Sequence, residues 1–308
     1  MHIRTQFPDL FMEDMLPALD ELIFARYNRF PEQYSKIFRV LNSTRSIEQT
    51  SEVSGLGLFN EVAEGADVSY DYAVPGFAKT YVHAQYGLGF KISRIAVDDD
   101  KWSLIDKLTS SVGRSAKETR EIIAALIFNR GFNSSYTGPD GKVLFATDHP
   151  LPKSGGTQSN TLSVQADLDI DSLQLALTSF RKQVDINGQK IRLKPEMLVV
   201  APEGEFNAIE VLGGSMRGDT ANNTVNAFKR RSGLPAFDEL FVWDYLTDED
   251  AWFILGPKED REVRWYDREK FNTIHDRDFN SRSLKTAGWM RFCCGWSSFY
   301  GVFGVSGA

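Results

Sequence analysis

The sequence predicts an α+β chain laid out in five segments. These are an arm over 1–42, an extended β-ribbon over 43–92, a region built on a long helix over 93–165, a compact α/β unit over 166–256, and return strands over 257–308. Three observations predict this. Apolar residues recur at three- and four-residue steps across 101–132. Period-two runs fill much of 43–95 but hold few aliphatics. The last segment is rich in aromatics spaced by glycines.

In the arm, Asp9 is placed to cap a helix carrying Phe11, Met15, Leu19, Leu22 and Ile23. Pro17 sits in its first turns or kinks it, and Pro31 closes it. So short a stripe must bury itself against something else. The ribbon alternates at Val68, Tyr70 and Tyr72, then at Phe77, Lys79, Tyr81 and His83, then at Phe90, Ile92 and Arg94. A two-stranded ribbon with few aliphatics cannot form a core of its own. It is expected to project onto a partner, with its aromatics as contacts.

Ile105, Leu108, Val112, Ala116, Ile122, Ile123, Leu126 and Ile127 mark one helix, capped by Asp99 or Asp100 and ended by Gly131. It would be about 45 Å long, and Gly113 is a point where it can bend. Pro139-Asp140-Gly141 is a turn, Val143 to Ala146 a short strand, and Ser154 to Asn160 a loop. In the α/β unit, Leu173, Ala176, Leu177, Phe180 and Val184 form a helix face, and Asn187-Gly188 is a turn. Met197 to Ala201 is a buried strand and Phe206 to Leu212 a short helix. Leu240 to Trp243 and Trp252 to Leu255 are strands joined across an acidic turn. Val263 to Tyr266 and the aromatic run from Thr286 to Val305 complete the chain.

A composition of 42% hydrophobic and 25% charged residues is globular, and the longest apolar run, Ile122 to Phe128, is far short of a membrane span. Met1 to Leu10 holds no apolar signal core. A net charge of −7 argues against a protein whose main task is gripping nucleic acid. Cys293 and Cys294 are neighbours that point to opposite strand faces, which reads as two free thiols.

No residue set reads as catalytic, cofactor-binding or metal-ligating. Asp148-His149 has the types of a catalytic pair, but adjacent residues rarely face each other and no Gly-x-Ser-x-Gly elbow occurs. His2, His83, His149 and His275 form no metal-binding spacing. Gly138 to Lys142 fails as a phosphate loop at Tyr136 and Val143, and Tyr86 to Phe90 lacks the third dinucleotide glycine at Ile92. Lys229-Arg230-Arg231 reads as a solvated basic loop.

Several segments, in order, resemble the major capsid protein of tailed bacteriophages, with Mu-type major head subunits among the relatives. They are Ile92-Ser93-Arg94 followed by Asp98-Asp99-Asp100, and Leu144-Phe145 followed by Asp148-His149-Pro150. Arg192-Leu193-Lys194-Pro195 leads into Leu198 to Pro202. Ala251 to Leu255 precedes the tail from Asp278-Phe279 to Tyr300-Gly301. The resemblance implies a Hong Kong 97-like fold, with 166–256 as axial domain and 93–165 with 257–308 as peripheral domain around the spine helix. It implies no enzyme and no cofactor.

It also implies a virion shell of hexamers and pentamers around double-stranded DNA, bound without sequence specificity, assembled in the host bacterial cytoplasm. Implied partners are copies of the chain, a scaffolding protein, a portal and a decoration protein, with no membrane. The short arm leads us to expect a separate scaffolding protein or a processed chain. The expected inter-subunit contacts are Phe59, Tyr70, Tyr72, Phe77 and Tyr81 on the ribbon, and Phe11, Met15 and Leu19 on the arm. Two other readings remain: an encapsulin-type compartment of the same fold, and a soluble hydrolase using His149 with Asp148.

Overall fold

The computed structural model describes residues 8–93, 95–96, 102–214, 226, 228, 237–278, 280–281 and 283–307. The proposed Asp99 or Asp100 cap, Lys229-Arg230-Arg231 and most of the loop from Gly213 to Asn226 lie outside them.

Two four-stranded sheets flank one long helix. Helix α1 (Pro8–Arg29) precedes the single turn α2 (Tyr34–Ile37) and strand β1 (Arg39–Asn42). The ribbon is β2 (Ile47–Val53) paired with β3 (Pro75–Val82), and β4 (Ala84–Ile92) follows directly. The spine helix α3 (Trp102–Asn129) has 28 residues, about 42 Å at 1.5 Å each. The chain continues through β5 (His149–Pro150), β6 (Thr157–Gln158), α4 (Ile170–Arg181), β7 (Met197–Val200) and α5 (Glu205–Gly213). It ends with β8 (Glu239–Val242), β9 (Trp252–Leu255), β10 (Val263–Asp278), β11 (Ser283–Trp296) and β12 (Val302–Val305).

The first sheet has the order β1-β10-β11-β4, with β1 parallel to β10 and the other pairs antiparallel. The second has the order β12-β9-β7-β8. Its strands alternate between two buried faces. Met197, Val199, Phe253, Leu255 and Val302 meet Phe128 of α3 and Phe145, whereas Leu198, Val200, Trp252, Ile254, Phe303 and Val305 meet α4 and α5. Burial on both faces explains why Met-Leu-Val-Val is uninterrupted in β7. Phe128 sits at the junction, with ring centroids 5.2 Å from Phe253 and 5.5 Å from Trp243.

Helix α4 follows the expected pattern as far as Phe180, but it ends at Arg181, and Val184 lies beyond it in a β-bridge to Lys190. Leu173, Ala176, Leu177 and Phe180 are buried, and Asp169 caps it by accepting from the Ser172 amide at 2.6 Å. Gly113 has a different role from a bend. It lets α1 cross α3 closely: a Cβ there would collide with the Ile23 carbonyl and stand 3.2 Å from the Tyr27 nitrogen.

Several expectations change. Val68 to Tyr72 is not a strand, because residues 54–74 find no ladder partner. Strand β4 leaves the ribbon and joins the first sheet beside β11, so the extended segment ends near Val82. Val143 to Ala146 forms no strand; Leu144 and Phe145 are buried as irregular chain. The Ser154 to Asn160 segment contains β6 and ends on fully buried Asn160. Strand β7 is inserted between β8 and β9. The tail does not return wholly to the first sheet, because β12 pairs with β9. Strand β10 runs twelve residues past Tyr266 through a highly charged stretch, with register shifts at Asp267/Glu269 and Glu269/Asn272.

Arg120 of α3 is buried among aromatic rings. Its guanidinium donates to Asp267 Oδ1 at 2.5 Å and to the Tyr27 hydroxyl at 3.1 Å, and lies 5.2 Å from the ring centroids of both Tyr34 and Trp265. Trp265 Nε1 donates to the same carboxylate oxygen at 2.8 Å. Arg120→Ala should lower unfolding free energy by about 3–5 kcal/mol, since it strands Asp267 as a buried charge. The double variant Arg120→Met/Asp267→Asn should recover part of that in denaturant titrations. A loss under about 1 kcal/mol for the single variant would mean the pair does not hold these elements.

Candidate assembly surface

The ribbon root is docked on its own subunit. Tyr81 packs on Tyr266, with ring centroids 5.1 Å apart, and against Cys293. Arg264 donates to Thr50 Oγ1 at 3.2 Å. Beyond the root, Ser54 closes the loop base: its amide donates to the Val74 carbonyl at 2.9 Å, and its hydroxyl accepts from the Val74 amide at 2.8 Å.

Residues 54–74 then run without helix or strand, bearing Glu61, Glu64, Asp67 and Asp71 and no lysine or arginine. Phe59, Tyr70 and Tyr72 have relative exposures of 105%, 85% and 78%, and Leu56, Leu58 and Val68 are exposed as well. So many exposed large apolar side chains in one segment make it the candidate interaction surface.

Asp71 organises this loop. Its carboxylate accepts from the Gly57 amide at 2.7 Å and from the Tyr72 amide at 2.8 Å, and Lys153 Nζ donates to it at 2.8 Å. Lys153 first, then the two amides, pull its pKa down to about 2.

The expected contact residues therefore divide. Phe59, Tyr70 and Tyr72 are presented outward, and Phe77 is half-buried. Tyr81 and Leu19 are corrected: at 3% and 2% exposure, both belong to the subunit's own interior. Tyr81 faces the first sheet, and Leu19 packs with Ile92, Ile105 and Leu284. The side chains of Phe11 and Met15 lie outside the described part of the chain. Asp71 and Lys153, which shape and anchor the loop, carry no clear signal of this in the sequence, and Asn187 is legible there only as a turn residue. Only the place of Asp71 between two tyrosines hints at its role.

His149 is not paired with Asp148. Its Nδ1 lies 2.6 Å from Asp140 and its Nε2 3.1 Å from Asn160, and its ring stacks on Phe299 at 4.2 Å. Asp148 instead pairs with Lys142. The imidazole is fully buried and cross-links the 140–160 loops. A cleft of about 560 Å³ beside the end of α3 is lined by Lys79, Tyr86, Ile127, Arg130, Cys294 and Trp296. Burial pushes the Cys294 thiol far up, away from the reactive thiolate form. No group of side chains among the described residues has the makings of a metal site.

A family model described as phage capsid protein matches residues 77–305. The chain belongs to the phage capsid protein family. It is a structural shell protein of a phage head, not an enzyme, which disfavours both the hydrolase and the encapsulin-type readings. No curated protein matches the sequence.

Solved structures share its fold at low identity. A chain from Mycobacterium phage Patience is 12% identical with a TM-score of 0.55, covering 96% of this chain and 86% of its own. One from Mycobacterium phage Adephagia is 14% identical with a TM-score of 0.54, covering 91% of each chain. The procapsid chain of bacteriophage JBD30 is 12% identical with a TM-score of 0.54, covering 97% of this chain and 76% of its own. The fold is Hong Kong 97-like.

The ribbon root of this capsid protein carries a pH-sensitive group. Burial raises Glu52 of β2 to about 7, helped by the Glu262 carboxylate and less by Asp140 and Asp185; the Tyr300 hydroxyl bond opposes the shift. Folding therefore favours neutral Glu52. Its stability contribution is full below the ordinary value of 4.5 and is lost as pH rises through about 7. The Tm of Glu52→Gln should match the wild type near pH 4.5 and exceed it at pH 8. An equal Tm difference at both pH values would dismiss Glu52 as the responsible group.

Proposed function

We propose that this capsid protein assembles with copies of itself into hexamers and pentamers that close an icosahedral head shell around double-stranded DNA. The observation that carries this reading is the exposed aromatic loop 54–74, held on a firmly docked root in a member of a capsid family. A subunit that buries its core fully yet presents Phe59, Tyr70 and Tyr72 to solvent is completed by a neighbour. In this reading the loop lies on the adjacent subunit. The α/β unit over 166–256 meets its copies at the capsomer centre as the axial domain. The first sheet with α3 forms the peripheral domain. Many modest contacts, closed by symmetry, hold the shell.

The net charge of −7 suits a wall that encloses DNA without sequence-specific contact. A scaffolding protein, a portal and a decoration protein complete the assembly, which takes place in the host bacterial cytoplasm. Light scattering with negative-stain imaging tests this. Closed particles in the megadalton range are expected, alone or with the scaffolding protein. Tyr70→Ala/Tyr72→Ala should keep the wild-type Tm while cutting particle yield about tenfold or more, the effect of some 1.4 kcal/mol at each repeated contact. Unchanged yield would remove the loop from the interface. A chain that stays monomeric with its scaffolding protein would sink the shell reading.

A further inference from the structure

We propose that Lys153 is a positioning residue for assembly, an in-chain anchor that aims the aromatic loop 54–74 before any neighbour arrives. This rests on the loop being an assembly contact. The loop has no regular structure and no internal cation, so something outside it must set its direction. Two segments of the body do so. Asn187 Nδ2 donates to the Gly55 carbonyl at 3.1 Å, and Gln189 Nε2 reaches the Leu56 carbonyl at 3.5 Å, both from the turn after α4. On the other limb, Lys153 donates to Asp71 Oδ2 at 2.8 Å and to the Tyr72 carbonyl at 3.2 Å.

Lys153 is the one charged anchor among these, and it grips Asp71, between the two exposed tyrosines, and the backbone of Tyr72 itself. With Asp71 and the Tyr72 carbonyl turned toward Lys153, the rings of Tyr70 and Tyr72 are left facing solvent.

The two partners of the ion pair have separable jobs. Asp71 also binds the Gly57 and Tyr72 amides, which ties the outgoing limb of the loop to the returning one. Loss of Lys153 leaves that internal tie and the Asn187 and Gln189 anchors in place, so the loop keeps its shape but loses the hold on its returning limb that aims the tyrosines. Loss of the Asp71 charge weakens both. The side chains are 21% and 43% exposed, so the pair is open to salt screening.

The test uses unassembled full-length chain and follows chymotryptic cleavage after Phe59, Tyr70 and Tyr72, alongside the assembly rate by light scattering. Lys153→Ala should speed cleavage about two- to fivefold at low salt, the range of an exposed pair. It should slow assembly without changing Tm or final particle size. Lys153→Arg should restore both rates, Asp71→Asn should speed cleavage further, and the gap between wild type and Lys153→Ala should close near 1 M salt.

Equal cleavage of wild type and Lys153→Ala at low salt would overturn the anchor. So would faster cleavage with an unchanged assembly rate, or failure of the arginine variant to restore. If the wild type forms no particles even with its scaffolding protein, the shell reading fails, while the cleavage comparison still decides whether Lys153 holds the loop.

Discussion

Arg120 is the point at which the fold's separate parts become one body. Its side chain leaves the spine helix and reaches Asp267 of the first sheet, Tyr27 of the arm helix and the ring of Tyr34 in the turn that follows. A buried cation is costly unless its donors are used and its charge is matched. Here the carboxylate, a hydroxyl and aromatic faces supply that match at once. The neighbouring residue works in the same place: Glu121 accepts the backbone amides of Gln33 and Tyr34 at 2.7 and 2.9 Å. The arm is thus fastened to α3 by a pair of adjacent residues on one turn.

Packing continues this body into the second sheet. Phe128, two turns further along α3, reaches Trp243 and Phe253, so a single apolar core runs from the arm helix to β7 and β9. The two sheets are further tied by β11 and β12, which are consecutive in sequence but lie in different sheets. Against so rigid a frame, the loop 54–74 stands apart. It has exposed aromatics, and its tie to the body is a few polar anchors.

Helices were the most legible part of the sequence. The apolar steps of α3 and the capped face of α4 come from local periodicity, which tertiary packing reinforces. Strands were legible where one face or both are apolar, as in β7 and β9. The charged half of β10 was not, because its ladder partner Ser283 to Trp296 supplies the order that its own pattern lacks. The opposite error occurred at Val68 to Tyr72, where perfect alternation produced no strand for want of a partner. Of the candidate interface, Phe59, Tyr70 and Tyr72 were readable as aromatics without an aliphatic core beside them. Tyr81 has the same residue type and the same alternation, yet it is buried, because the first sheet lies beneath it.

By itself the sequence determined the α+β class of the chain, its free thiols and its likeness to phage coat proteins. These depend on residue type and local spacing, which a linear chain carries in full. Tertiary structure alone decided that His149 belongs to Asp140 and not to its neighbour Asp148, that Gly113 serves a helix crossing, and that β12 closes the second sheet. It also decided that Lys153 reaches Asp71 across 82 residues of chain. Each of these is a contact between distant segments, set by which surfaces meet when the core closes, and spacing along the chain holds no record of it.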